Sequence, residues 1–172
     1  MNIKHSFAAI IALAIMPHLS DASTLDATIP DPRPAPAFDL PDPKGRPIRL
    51  DQFAGKVVYL DFWASWCGPC RQSFPWMNQM QEKYAAQGLV VLGVNLDAKS
   101  EDALTFLSAT PIHFQTALDP KGVTPKAYGV KGMPSSFLIG RNGKILFRHT
   151  GFKASQKEEI ERHIIDALGS GK

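Results

Sequence analysis

Cys67 and Cys70 are the only cysteines in the chain, and they stand in the run Trp66-Cys67-Gly68-Pro69-Cys70. Two thiols at this spacing can close on each other and reopen by thiolate attack, so their natural chemistry is thiol–disulfide exchange. Secreted chains often use cysteines as staples that close long loops. A bridge between these two closes almost no loop and restricts the unfolded chain little. Chemistry explains the pair better than stability does.

The surrounding residues assign roles. Val57-Val58-Tyr59-Leu60-Asp61-Phe62-Trp63 is a nearly continuous apolar run, the mark of a strand buried on both faces. The cysteine motif follows at once and opens a helix. A cysteine at a helix N-terminus meets unpaired N–H groups and the positive end of the helix dipole. Such sites lower a thiol pKa from about 8.5 to about 3.5–7.5. Cys67, just before the helix, is expected to be exposed and to attack a substrate disulfide. Cys70, one turn later and partly buried, is expected to resolve the mixed disulfide. Pro69 fits the first turn, where a missing N–H costs nothing. Asp61 is the outlier of the strand, because an aspartate among apolar residues is costly unless paired or neutral. Desolvation raises its pKa. It is either a proton-handling group or a carboxylate satisfied by a local hydroxyl or by Lys56.

Other chemistries fare less well. Zinc would need two further ligands, and His113, His149 and His163 are not at metal-ligand spacing; His5 and His18 lie in or near the leader. A metal carrier of this kind would want a dedicated histidine late in the domain. Only His149 fits by position, and it reads as a strand residue facing solvent. A peroxide-reducing site would set its thiolate in Thr-x-x-Cys, whereas Cys67 follows Ala64-Ser65-Trp66. The net charge of +3 carries no dense basic run, so no nucleic-acid partner is implied. No cofactor is implied either.

Elements must position these groups, and 172 residues at 44% hydrophobic and 20% charged suit one globular domain. Lys4 and His5 precede the apolar run Phe7 to Met16, Pro17 breaks it, and Ser20-Asp21-Ala22 follows. This layout predicts a signal peptide over residues 1–22, cleaved after Ala22. The alternative is a retained anchor, but a spanning helix needs about 20 apolar residues. Residues 23–36 are a proline-rich linker or surface arm, with alternate prolines in Ile29-Pro30-Asp31-Pro32-Arg33-Pro34-Ala35-Pro36. The folded domain is expected over residues 37–172.

Phe38 to Leu40 and Arg46 to Leu50 read as short strands, with a helical turn over Leu50 to Gly55. The active-site helix should run to about Ala86 and end at Gly88; Pro75 inside it should kink it. Leu89 to Asn95 is a second buried strand. Ser100 is expected to cap a helix with Ala103, Leu104, Phe106 and Leu107 inward. A strand near Phe114 to Leu118 and a helix near Val123 to Tyr128 follow. Ser135 to Ile139 and Lys144 to His149 form a hairpin around Arg141-Asn142-Gly143. Ser155 is expected to cap a last helix with Ile160, Ile164, Ile165 and Leu168 inward. The order implies an α/β fold, a central mixed sheet covered on both faces.

Asp61-Phe62-Trp63-Ala64-Ser65-Trp66-Cys67-Gly68-Pro69-Cys70-Arg71 resembles the active-site strand and helix start of thioredoxins. The whole layout, from about Ala37 to Leu168, resembles the TlpA/ResA-like branch, extracytoplasmic thioredoxin-like reductases with extra N-terminal strands and a strand–helix insert, here Val90 to Leu118. The resemblance implies a cis proline at Pro134 in Gly132-Met133-Pro134-Ser135-Ser136-Phe137, facing the cysteines. It leaves the backbone of Met133 to pair with an extended substrate. It also implies that Asp61 takes and returns the proton of Cys70. One departure stands out: relatives of this branch often carry a glutamate three residues after the second cysteine, and this chain has Ser73. Trp63, Trp66 and Phe74 are expected to pack, with Trp66 also touching substrate.

Gly68-Pro69 is the dipeptide of reducing thioredoxins. The expected task is therefore reduction of client protein disulfides in the periplasm or another extracytoplasmic space, by a monomer fed by a membrane thiol reductant. Clients in cytochrome c maturation or metal-site thiols are implied. A disulfide-forming oxidase and a non-enzymatic metal carrier are the alternatives.

Overall fold

The structure, a computed structural model, describes residues 33–170. The leader expected over residues 1–22 and most of the linker lie outside the described residues.

Among the described residues, seven strands and four helices follow one another. β1 (Asp39–Pro41) and β2 (Pro47–Arg49) form an antiparallel hairpin, followed by a 3-10 turn, Leu50–Phe53. Then come β3 (Val57–Trp63), α1 (Gly68–Tyr84), β4 (Leu89–Asn95), α2 (Ser100–Ala109), β5 (Gln115–Leu118), α3 (Val123–Ala127), β6 (Ser135–Ile139), β7 (Ile145–Thr150) and α4 (Lys157–Gly169). The main sheet runs β5-β4-β3-β6-β7. β3 is its centre, parallel to β4 and antiparallel to β6. This is the thioredoxin fold with an added N-terminal hairpin, and β4-α2-β5 forms the strand–helix unit beyond α1.

Alternation along β3 divides the core in two. Val57, Tyr59 and Trp63 join α1, α4 and the inner residues of α2 in one cluster, which also holds Cys67 and Cys70. Val58, Leu60 and Phe62 face the other way, under the β1–β2 hairpin, Phe53, Tyr128 and the arm residue Ala35. Among the described residues, that second cluster holds none of α1, α2 or α4 and is built mainly from non-helical chain, with Tyr128 at the end of α3. Asp61 shares the parity of Tyr59 and Trp63, which places it on the cysteine face.

The proline-rich stretch is docked from its end at residues 33–36. Ala35 N donates to Gly143 O at 2.9 Å, Ile145 N donates to Arg33 O at 3.0 Å, and the Tyr128 hydroxyl donates to Pro36 O at 2.9 Å. The arm so covers part of the β7 edge, which would otherwise offer unpaired backbone groups.

Two glycines are demanded by geometry. Gly88 ends the helical segment at φ +98°, in the left-handed region. Gly93 lets β4 lie against Trp63, since a Cβ there would sit 2.8 Å from Trp63 Nε1. The Trp63 indole fills that space and donates to Thr116 Oγ1 at 3.2 Å.

Several expectations are corrected. Ser100 and Ser155 do not cap. Lys99 precedes α2 with no side-chain cap bond, and its first turn carries Glu101 and Asp102, which suit the positive helix end. Before α4 the chain makes a 3-10 turn, Ala154–Gln156, and the Gln156 side chain accepts from Lys153 N at 3.0 Å. Leu104 and Ile165 are exposed, on the flanks of their apolar stripes. His149 does not face solvent: it is 6% exposed on β7, stacked against Phe147 at a centroid distance of 6.2 Å. Period-two alternation groups it with Phe147, and the fold follows that period.

Candidate active site

The site lies where the carboxyl end of β3 meets the start of α1. Cys67 is the N-cap of α1, with extended backbone dihedrals, and Gly68 and Pro69 occupy the first turn. Its sulfur accepts from Cys70 N at 3.3 Å, so an otherwise orphaned helix N–H points at the Cys67 sulfur. The two cysteines are joined as a disulfide with Cα atoms 5.3 Å apart. Cys67 is 5% exposed and Cys70 is fully buried. The expectation of an openly exposed Cys67 is corrected, because the bond to a buried partner draws its sulfur against the helix. The asymmetry between the two remains. Trp66 is 69% exposed, so it is not a packing group. Trp63 and Phe74 do pack, ring to ring, at 5.0 Å.

The Met133–Pro134 peptide bond is cis. Pro134 is buried, its carbonyl accepts from Gly151 N at 2.8 Å, and Met133 packs on the cluster that holds both cysteines. Among the described residues no hydrogen-bond partner reaches the backbone of Met133.

Asp61 is 2% exposed, and its Oδ2 has no hydrogen-bond partner among the described residues. Burial pushes its carboxyl well above the usual carboxylate range. Lys56 is exposed and does not pair with it. Beside it, burial and then the Asp61 charge push the Tyr59 phenol upward. Ser73, three residues after the second cysteine, is buried and donates to Cys70 O at 2.8 Å. Its hydroxyl serves the helix backbone and brings no charge to the site.

Asp97 was not singled out by sequence reasoning. It is 1% exposed, just past the carboxyl end of β4. Its two oxygens accept from Ser65 N at 3.2 and 3.0 Å, from Ser65 Oγ at 3.0 Å and from Asn95 Nδ2 at 2.7 Å. It therefore holds the loop two residues before Cys67. The available signal was its place at the end of a parallel strand, where α/β folds gather their site residues. Asp97→Ala is expected to leave these buried donors unpaired and to cost about 1–3 kcal/mol of stability. Asp97→Asn, which keeps one acceptor oxygen, is expected to cost less; urea midpoints of both variants check this.

A redox pair at a helix N-terminus, beside a cis-proline loop on a thioredoxin fold, defines a thiol–disulfide oxidoreductase. The chain belongs to the AhpC/TSA family, whose model matches residues 32–148. It is 35% identical over 130 residues to the thiol–disulfide oxidoreductase ResA of Bacillus thuringiensis subsp. konkukian, covering 76% of this chain and 74% of that one. ResA of Geobacillus thermodenitrificans is 37% identical over the same coverage. The crystal structure of a DsbE-type thiol:disulfide interchange protein from Chlorobium tepidum is similar at 59% identity and a TM-score of 0.78, covering 80% of this chain and 97% of that one. The protein is thus an oxidoreductase of the ResA/DsbE type with a Cys-x-x-Cys pair.

Proposed function

We propose that the protein reduces disulfides of client proteins outside the cytoplasm. The carrying observation is the complete burial of Cys70, on the same face of β3 as the partnerless Asp61. Strong oxidants of this fold owe their potential to a stabilised reduced form. Here the second thiol gains nothing from solvent, because burial in apolar surroundings raises a thiol pKa. A charged Asp61 would oppose a Cys70 thiolate further. The reduced pair is the less favoured form, so it gives its electrons away.

In this reading the Cys67 thiolate attacks a client disulfide and forms a mixed disulfide. Asp61 takes the proton of Cys70, and the Cys70 thiolate attacks the Cys67 sulfur. The client leaves reduced, and the pair is left as the disulfide. Trp66 and the backbone of Met133 hold the client strand, with Gly68-Pro69 beneath it. The signal-peptide pattern expected over residues 1–22 supports a periplasmic setting. An oxidising compartment then requires a membrane thiol reductant to restore the dithiol. Apocytochrome c or metal-site thiols are the clients that fit.

Equilibration with glutathione tests the direction. The expected potential is near that of thioredoxin, about −270 mV; a value more oxidising than about −180 mV, that of protein disulfide isomerase, would assign the oxidase role instead.

A further inference from the structure

A row of polar side chains crosses the cysteine face of the sheet. Asp61 on β3 pairs in register with Ser136 on β6, and Ser136 pairs in register with His149 on β7. Directly opposite residues on one face of an antiparallel pair bring their Cβ atoms to about 4.5–5.5 Å. All three are buried: Asp61 is 2% exposed, Ser136 3% and His149 6%. Such polar groups inside a sheet are costly unless they serve each other or a reaction.

The four side-chain polar atoms buried without a partner among the described residues are Asp61 Oδ2, Trp76 Nε1, His149 Nε2 and Arg141 Nε. Of these, Asp61, Trp76 and His149 sit on this one face. Trp76 of α1 meets the Tyr59 ring edge-on at 5.5 Å, and Tyr59 is two residues from Asp61 on the same side of β3. The row begins at the centre of the sheet and ends on its edge strand. A proton released into the core at Asp61 has no route along the apolar neighbours, whereas a serine hydroxyl both accepts and donates, and an imidazole does so through its two nitrogens.

We propose that Ser136 and His149 carry the proton of Asp61 between the buried centre and the sheet edge, which makes His149 a positioning residue for the resolving cysteine. The inference rests on the reading of Asp61 as the acid–base partner of Cys70. During resolution the Cys70 thiol gives its proton to the Asp61 carboxylate, and the thiolate forms the bond to Cys67 as the client sulfur leaves with the electron pair. At rest the Ser136 hydroxyl bonds the Tyr59 phenol, and neither Asp61 Oδ2 nor His149 Nε2 has a partner among the described residues. In the transfer that hydroxyl turns to take the Asp61 proton and gives its own to His149, and the imidazolium loses a proton to solvent as the strand edge opens. Re-reduction runs the same path backwards. Besides Asp61, the titratable groups facing this row are Tyr59 on β3, whose phenol oxygen accepts the hydrogen bond of the Ser136 hydroxyl, and Cys70 on α1. His163 of α4 reaches it through the Phe147 ring at 4.0 Å, and Lys157 of α4 stands 5.8 Å over Phe152.

The test mixes the reduced protein with excess peptide disulfide and follows the phase whose rate does not depend on peptide concentration. His149→Gln and Ser136→Ala are each expected to slow that phase by about tenfold, short of the ~10²–10⁴ that a group in direct contact with the reacting thiol contributes. Both should erase the same inflection in its pH profile, and the double variant should be no slower than either single one. A Ser136→Ala protein with the parent rate and pH profile overturns the proposal, as do effects that multiply in the double variant. Should His149→Gln not fold, the pH profile of Ser136→Ala alone decides. Asp61→Asn separates the two levels. If it slows the phase while Ser136→Ala and His149→Gln do not, only the relay fails. If Asp61→Asn leaves the phase unchanged, the acid–base reading of Asp61 fails.

Discussion

Cys67→Ser is expected to reduce disulfide exchange to the background of the uncatalysed reaction, while Cys70→Ser stops it one step later with the client covalently held. The difference follows from where each sulfur sits. Cys67 is the N-cap, receives the Cys70 N–H at 3.3 Å and has the only exposed surface of the pair. The helix end that stabilises a partial negative charge on that sulfur stabilises the free thiolate in the reduced protein. Cys70 is fully buried and cannot meet a protein client directly. Without Cys67 no mixed disulfide forms. Without Cys70 the mixed disulfide has no internal thiol to break it, so it accumulates at up to one client per protein. In the reduced wild type, a small alkylating reagent at neutral pH should label Cys67 first and by several-fold. Mass spectrometry of partly alkylated protein reads the order, and non-reducing gels of the Cys70→Ser protein read the trapped complex. Labelling of Cys70 first would reverse the assignment, and the trapped partner would identify the client.

The parts of this site that the sequence made legible are those written in local patterns. Val57–Trp63 and Leu89–Asn95 stand where unbroken apolar runs placed them, because a strand buried on both faces admits little else. The cysteine motif placed itself at a helix start through Pro69. What was not legible depended on contacts between distant segments. Asp97 acts through Ser65, 32 residues away in sequence, and nothing near it marks that role. Residue type points His149 outward, whereas its spacing from Phe147 points inward, and the fold follows the spacing. Ser100 and Ser155 look like caps, but the chain entered both helices by other means: acidic residues in the first turn of α2, and the Gln156 side chain ahead of α4. Trp66 illustrates the converse. Size and apolarity argued for packing, yet the turn that presents Cys67 holds its neighbour out in solvent, where a client can meet it.

Asp61→Asn is expected to act on resolution and on the pH dependence of stability in ways that separate its two consequences. Asp61 is buried without a partner at Oδ2, and desolvation alone holds its carboxyl well above the ordinary value. In the unfolded chain an aspartate titrates near 3.9. Between that value and the raised one, the folded protein keeps a proton that the unfolded chain has lost. Folding then binds protons, so stability falls as pH rises through this window and levels off above the folded value. Asparagine cannot titrate, so the variant should be flat where the wild type declines, and the stability difference should move in favour of the variant as pH rises. Urea midpoints taken across the acid-to-alkaline range measure this directly; parallel curves for the two proteins would refute the buried, raised carboxyl. The kinetic effect runs the other way. A carboxyl pushed upward comes closer to the pKa of a thiol, which is the match that proton transfer to and from Cys70 requires. Asparagine removes the acceptor and leaves the attack of Cys67 intact. The first, concentration-dependent phase with a peptide disulfide should therefore stay within about twofold of wild type, whereas resolution should slow by ~10² or more, the lower bound for a positioned general base. Slowing of both phases together would mean that the substitution disturbs the site as a whole. Slowing of the second phase alone assigns the proton of Cys70 to Asp61.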